Sequence, residues 1–147
     1  MTTTIIIVLI SIIIIVFIVK KVKKNKISSN LNKEQTYHKD NLDGYVNTLV
    51  NKQVDSSDIE VFAGLIHKRI VSNWLYNCQL RSTLEGGMMM VEETAMQQAT
   101  MITNLKRFLQ DKIGNQQNSA QELNIIKEES VKLAFKEMNS IFDNLKK

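Results

Sequence analysis

Proline is absent from this 147-residue sequence and glycine occurs only five times. With no residue that removes a backbone donor and few that favour tight turns, the chain suits a strand-and-turn architecture poorly and long uninterrupted helices well. Aromatic residues make up only 6% of the chain. The single Cys78 rules out an internal disulfide, and no Asn-x-Ser/Thr acceptor occurs. Both absences lean towards a reducing compartment. What is plentiful is ordinary for a folding chain: 44% apolar and 23% charged residues, too apolar for a disordered tail. The length allows one domain, or a small domain with a tether.

Clustered chemistry is also lacking. His38, His67 and Cys78 are scattered without ligand spacing, so no metal and no other cofactor is expected. The pairs Glu92/Glu93 and Glu128/Glu129 are sequence neighbours, which on a helix diverge by about 100° and cannot share a substrate. Gly86-Gly87 is followed by no Gly-Lys-Ser/Thr, so it reads as a helix break and not a phosphate loop. No catalytic residue is assigned and an enzyme is not expected.

The formal charge of +4 suggests a polyanion partner until it is divided by region. Residues 20–40 hold seven lysines against Glu34 and Asp40, whereas residues 41–147 hold twelve Lys and Arg against thirteen Asp and Glu. The larger part therefore has no net attraction for nucleic acid, and no nucleic-acid partner is expected.

The basic excess adjoins the one long hydrophobic run. From Ile5 to Val19 there are fourteen strongly apolar residues and Ser11, followed by Lys20, Lys21, Lys23, Lys24 and Lys26. As a helix the run rises about 22 Å, and flanking threonines and snorkelling lysine stems bring it near the roughly 30 Å of a hydrocarbon core. Insertion is worth on the order of −4 to −8 kcal/mol at its centre. A secretory signal has its positive charge before the apolar segment, whereas here it follows, so the run reads as an uncleaved anchor. The expected organisation is a short extracytoplasmic segment 1–4, a transmembrane helix 5–22, a basic and polar linker 23–40 and a helical domain 41–147. The lysines place that domain in the cytosol. They also face the lipid bilayer, the first expected partner.

The expected fold class is all-α: the transmembrane helix, the linker, a short helix over 41–52 and an antiparallel three-helix bundle of 57–84, 88–113 and 119–146. Ser57/Glu60 and Ser119/Glu122 match the S-x-x-E pattern that opens a helix. Ile59, Phe62, Ile66, Ile70 and Trp74 line the first long helix. Met88, Val91, Ala95, Ala99, Ile102, Leu105, Leu109 and Ile113 form a seam on the second. Gly114 stops that helix at a C′ position. The face of the third is Leu123, Ile126, Val131, Ala134, Phe135, Met138, Phe142 and Leu145. A homo-oligomeric coiled coil built on the Met88–Ile113 seam is the alternative.

Met88, Met89 and Met90 point in successive directions around a helix, so at least one faces outward. They are the candidates for docking a protein partner through an adaptable apolar patch. The functional expectation is a non-enzymatic single-pass membrane protein whose cytosolic bundle tethers or scaffolds an assembly. The wealth of isoleucine, lysine and asparagine matches an AT-rich genome, and in a large DNA virus such a chain would be a virion inner-membrane protein. An exported, spanin-like or envelope protein acting in lysis, fusion or entry is the alternative.

Overall fold

The computed structural model describes the backbone of residues 2–145 and the side chains of residues 16–145. Among these the chain is all-α, with helices α1 (Thr2–Thr48), α2 (Ser56–Leu80), α3 (Leu84–Glu93), α4 (Ala95–Ile113) and α5 (Ala120–Asn144).

The expected linker is not a linker. α1 continues unbroken through residues 23–40 and absorbs most of the separate helix expected over 41–52. Among its covered positions, Ile27, Leu31, Gln35, His38, Leu42 and Val46, continued by Leu49 just past its end, recur in threes and fours along one face. Two of these seven positions are polar. Gln35 is satisfied by Asn73, to which its amide donates, and His38 lies 3.8 Å from Glu34 one turn earlier. With no proline and no glycine before Gly44, nothing stops the helix.

The bundle accordingly has four long helices instead of three, with α1 as the added member; of all the helix pairs, α1 and α2 make the most extensive contact. Their connecting turn lies beside the turn between α4 and α5. Asn51 N–H donates to the Asn118 carbonyl at 2.9 Å, Val54 N–H to Gln116 at 3.1 Å and Asn115 N–H to Val54 at 2.8 Å. An isolated antiparallel bridge joins Gln53 and Gln117. Since the chain reverses at both turns, α1, α2, α4 and α5 alternate in direction. Asn51 and Asn115 adopt φ of 57° and 58°, the left-handed region that asparagine tolerates. Gly114 itself has φ −61° and caps α4 in an extended conformation, not the left-handed one expected of a C′ glycine. Its lack of a side chain is needed because a Cβ there would collide with Gln110.

Helix boundaries depart from expectation in three further places. α2 is opened by Asp55, whose carboxylate accepts from Asp58 N–H at 2.9 Å while Asp58 accepts from Asp55 N–H at 3.2 Å. The Ser57/Glu60 assignment is therefore wrong by two residues, and Glu60 instead pairs with Lys106 at 2.6 Å. The chain reverses at Arg81–Thr83, with Ser82 at φ 61°, and Gly86 and Gly87 lie inside α3. The single helix expected over 88–113 is interrupted at Thr94, whose hydroxyl donates back to the Met90 carbonyl at 2.6 Å. The Ser119/Glu122 box opens α5 as expected.

One core cluster joins four helices: Leu42 and Val46 of α1, Phe62 and Ile66 of α2, Leu105 and Leu109 of α4, Leu123 and Met138 of α5. On α4 the buried face is Thr94, Gln98, Met101, Leu105, Leu109 and Ile113, so Ala95, Ala99 and Met88 of the expected seam are exposed. Gln98 tolerates burial because its amide donates to Val91 and Thr94 and its carbonyl meets His67 Nε2 at 2.8 Å.

Among the described residues no helix is long and apolar enough to cross a membrane. Most of the expected transmembrane helix 5–22 lies outside the described side chains. Its described end is uncovered by protein, with Phe17 70% and Val19 60% exposed.

Candidate interaction surface

The lysine run and the methionine run meet at one end of the bundle. Lys20, Lys21, Lys23, Lys24 and Lys26 are all exposed on α1. Lys24 Nζ donates to Ser82 Oγ at 2.7 Å, and Gln79 Nε2 donates to the Lys24 carbonyl at 3.4 Å. These bonds set the corner between α2 and α3 against α1. Lys20, Lys23 and Lys24 line the resulting groove together with Leu84, Glu85 and Met88; Lys21 and Lys26 do not.

The three methionines divide as their helical spacing requires. Met88 and Met89 are exposed, while Met90 turns inward against the core. Gly87 holds α3 in this orientation. A Cβ built there would lie 2.7 Å from Trp74 and 2.8 Å from the Cys78 sulfur, so only glycine lets the helix approach so closely. Trp74 in turn packs against Phe142 with ring centroids 4.2 Å apart, which fastens the end of α5 to the same corner. A half-open cleft of about 670 Å³ runs between these elements, with Met90 and Phe135 among its walls. Burial pushes the Cys78 thiol up, only partly opposed by Thr83 and Arg81, which makes it a poor nucleophile.

The opposite end is built for rigidity. Asp58, buried at the start of α2, receives Lys52 Nζ at 2.7 Å and the Tyr45 hydroxyl at 3.1 Å. Burial pushes its carboxyl up, but bonds from Lys52, the Asp55 amide and Tyr45 outweigh burial and hold it below the usual range. Burial first, and then Asp58, pushes the Tyr45 hydroxyl well above its ordinary value. Nearby, Lys127 of α5 is almost fully buried and pairs with Asp43 of α1 at 2.6 Å. The sequence offered only weak signals for these contacts. Lys127 falls on the inner face of α5 between Leu123 and Ser130, a position that apolar patterning passes over.

Among the described residues, no group of three or more His, Cys, Asp or Glu could hold a metal ion. His67 is engaged with Gln98, and His38 stands edge-on to Tyr37 with centroids 5.4 Å apart. No protein-family model, curated protein or solved structure matches the chain.

Proposed function

We propose that the chain is a non-enzymatic, single-pass membrane protein whose four-helix bundle stands on the lysine side of the bilayer and tethers a protein assembly there. The observation that supports it most is the continuity of α1. The helix that contains the apolar run 5–19 passes without interruption through the lysines and becomes a core member of the bundle. An apolar segment destined for a protein interior would be buried, yet the side chains from Val16 to Val19 are all exposed. Charge asymmetry gives the orientation, with the amino-terminal end out and the bundle cytosolic. The bundle carries no net charge excess and no clustered catalytic groups, which suits a rigid display of helix faces to another protein or to a second copy of the chain.

Two measurements test this. Alkaline carbonate should leave the full chain in the membrane pellet, and release into the supernatant would sink the anchor. Protease added to sealed vesicles whose cytosolic face is outside should digest a carboxy-terminal tag. A shielded tag would instead favour the exported topology.

A further inference from the structure

The apolar corner between α2 and α3 lies at the height where α1 would leave the hydrocarbon. Along α1, Val19 and Lys24 are separated by a rise of about 7.5 Å. The headgroup layer, the difference between a core of about 30 Å and a full bilayer of about 40–45 Å, is about 5–8 Å per leaflet. Lys24 is bonded to Ser82 at the tip of the corner, so a helix emerging at Val19 brings the corner to the headgroups. The groove beside it reaches further up, to the level of Lys20.

The side chains there suit that environment. Leu80, at the end of α2, and Met88 and Met89, on α3, are between 50% and 59% exposed. Lys20, Lys23 and Lys24 share a groove with Leu84 and Met88, with Glu85 as its acidic side chain, and the exposed Arg81 lies in the turn that precedes α3. Unbranched methionines adapt to a fluid surface, and a basic rim of this kind attracts anionic headgroups.

We propose that the α2–α3 corner is a second membrane contact selective for anionic lipid: Leu80, Met88 and Met89 enter the interfacial layer while Lys20, Lys23 and Lys24 engage the phosphates. The contact presupposes the anchored topology proposed above. It assigns Met88 and Met89 to lipid instead of to a protein partner, and it fixes the tilt of the bundle, since α1 and the corner then hold the surface at two points.

The test uses the full chain with Cys78→Ala, carrying an environment-sensitive fluorophore on Met88→Cys or, at the opposite end, on Asn51→Cys. Each is reconstituted into vesicles of phosphatidylcholine alone or with 30% phosphatidylglycerol, with nitroxide lipids as quenchers. Quenching at position 88 should exceed that at position 51 several-fold and should increase with phosphatidylglycerol. Substituting Lys20, Lys23 and Lys24 by Gln should abolish that increase. If the chain floats with the vesicles but positions 88 and 51 are quenched alike, the contact is refuted while the anchor stands. Equal quenching in both lipids refutes the selectivity for anionic lipid. A label at 88 shielded from both lipid nitroxides and aqueous iodide marks a protein interface and overturns the assignment. If the chain does not float, the anchor fails and the contact with it.

Discussion

A methyl group at Gly87 and one at Gly86 should have opposite effects, although both residues lie in the first turns of α3. At Gly86 a Cβ meets nothing within 4 Å, so Gly86→Ala should stabilise the fold by about 0.5–1 kcal/mol through helix propensity. At Gly87 it meets Trp74 and Cys78 inside contact distance, and Gly87→Ala should cost about 1–3 kcal/mol by overpacking, less the same propensity gain. Thermal unfolding of the two variants followed by circular dichroism checks the sign of each. Asp58 supplies a second test. Its folded carboxyl is held below the ordinary value of 3.8, so its contribution is fully present above that pH and is lost as pH falls through the lower folded value. Glu60, lowered by Lys106, and Glu122, lowered by the Ser119 amide, act in the same acid window. Lys52 and Tyr45 are both raised, so their contributions are complete below 10.5 and 10.0 respectively and fade as pH rises beyond. The melting temperature should therefore plateau between about pH 5 and 10, and Asp58→Asn should both lower the plateau and flatten its acid edge. An unchanged acid edge would show that Asp58 is not among the groups that set it.

The elements carry tests of where helices begin. Replacing Asp55 by Ala should cost about 1 kcal/mol because it removes the side chain that caps α2, and Ser119→Ala should cost a similar amount at α5. Ser57→Ala should be close to neutral, since Ser57 lies inside α2 and is exposed. Denaturant midpoints for the three variants separate the two possible starts of α2. These boundaries also mark what the sequence made legible. The all-α class, the end of α4 at Ile113, the Ser119 cap and most of the apolar face of α5 follow from periodicity and capping chemistry. Between residues 23 and 40 α1 is not legible in the sequence because Gln35 and His38 hold positions on the buried stripe, and their polarity hides a helix that tertiary partners complete. On α4 the expected seam holds at Leu105, Leu109 and Ile113, and only its amino-terminal part, at Ala95 and Ala99, is displaced by one residue, for the same reason. Thr94 and Gln98 are buried polar residues whose hydrogen bonds with each other and with the backbone at Met90 and Val91 are made only once α3 and α4 are in place. Among the candidate surface residues, the sequence located the lysines and the methionines separately. Their meeting depends on a turn at Ser82 that brings Lys24 within hydrogen-bond distance from 58 residues away, which no local pattern encodes.

At the scale of the whole molecule, the main consequence is that the folding unit begins well before residue 41. Leu42, Val46 and Leu49 are fully buried, but α1 is also covered further back at Ile27 and Leu31, and Gln35 bonds to Asn73 of α2. The segment from Lys24 onward is thus part of the bundle, and the bundle joins the apolar run by rigid helix, with no flexible spacer. A chain starting at Asn41 keeps the α2, α4 and α5 core but uncovers one side of α2. Losing two half-buried aliphatic side chains at about 1 kcal/mol each should lower its stability by about 2 kcal/mol relative to a chain starting at Lys24. Urea unfolding of the two truncated chains provides the comparison. The longer one should show the higher midpoint and a larger m-value, because more surface is buried in a single cooperative unit. Equal midpoints would mean that residues 24–40 do not stabilise the bundle, and the rigid joint between bundle and apolar run would then have no energetic support before Leu42.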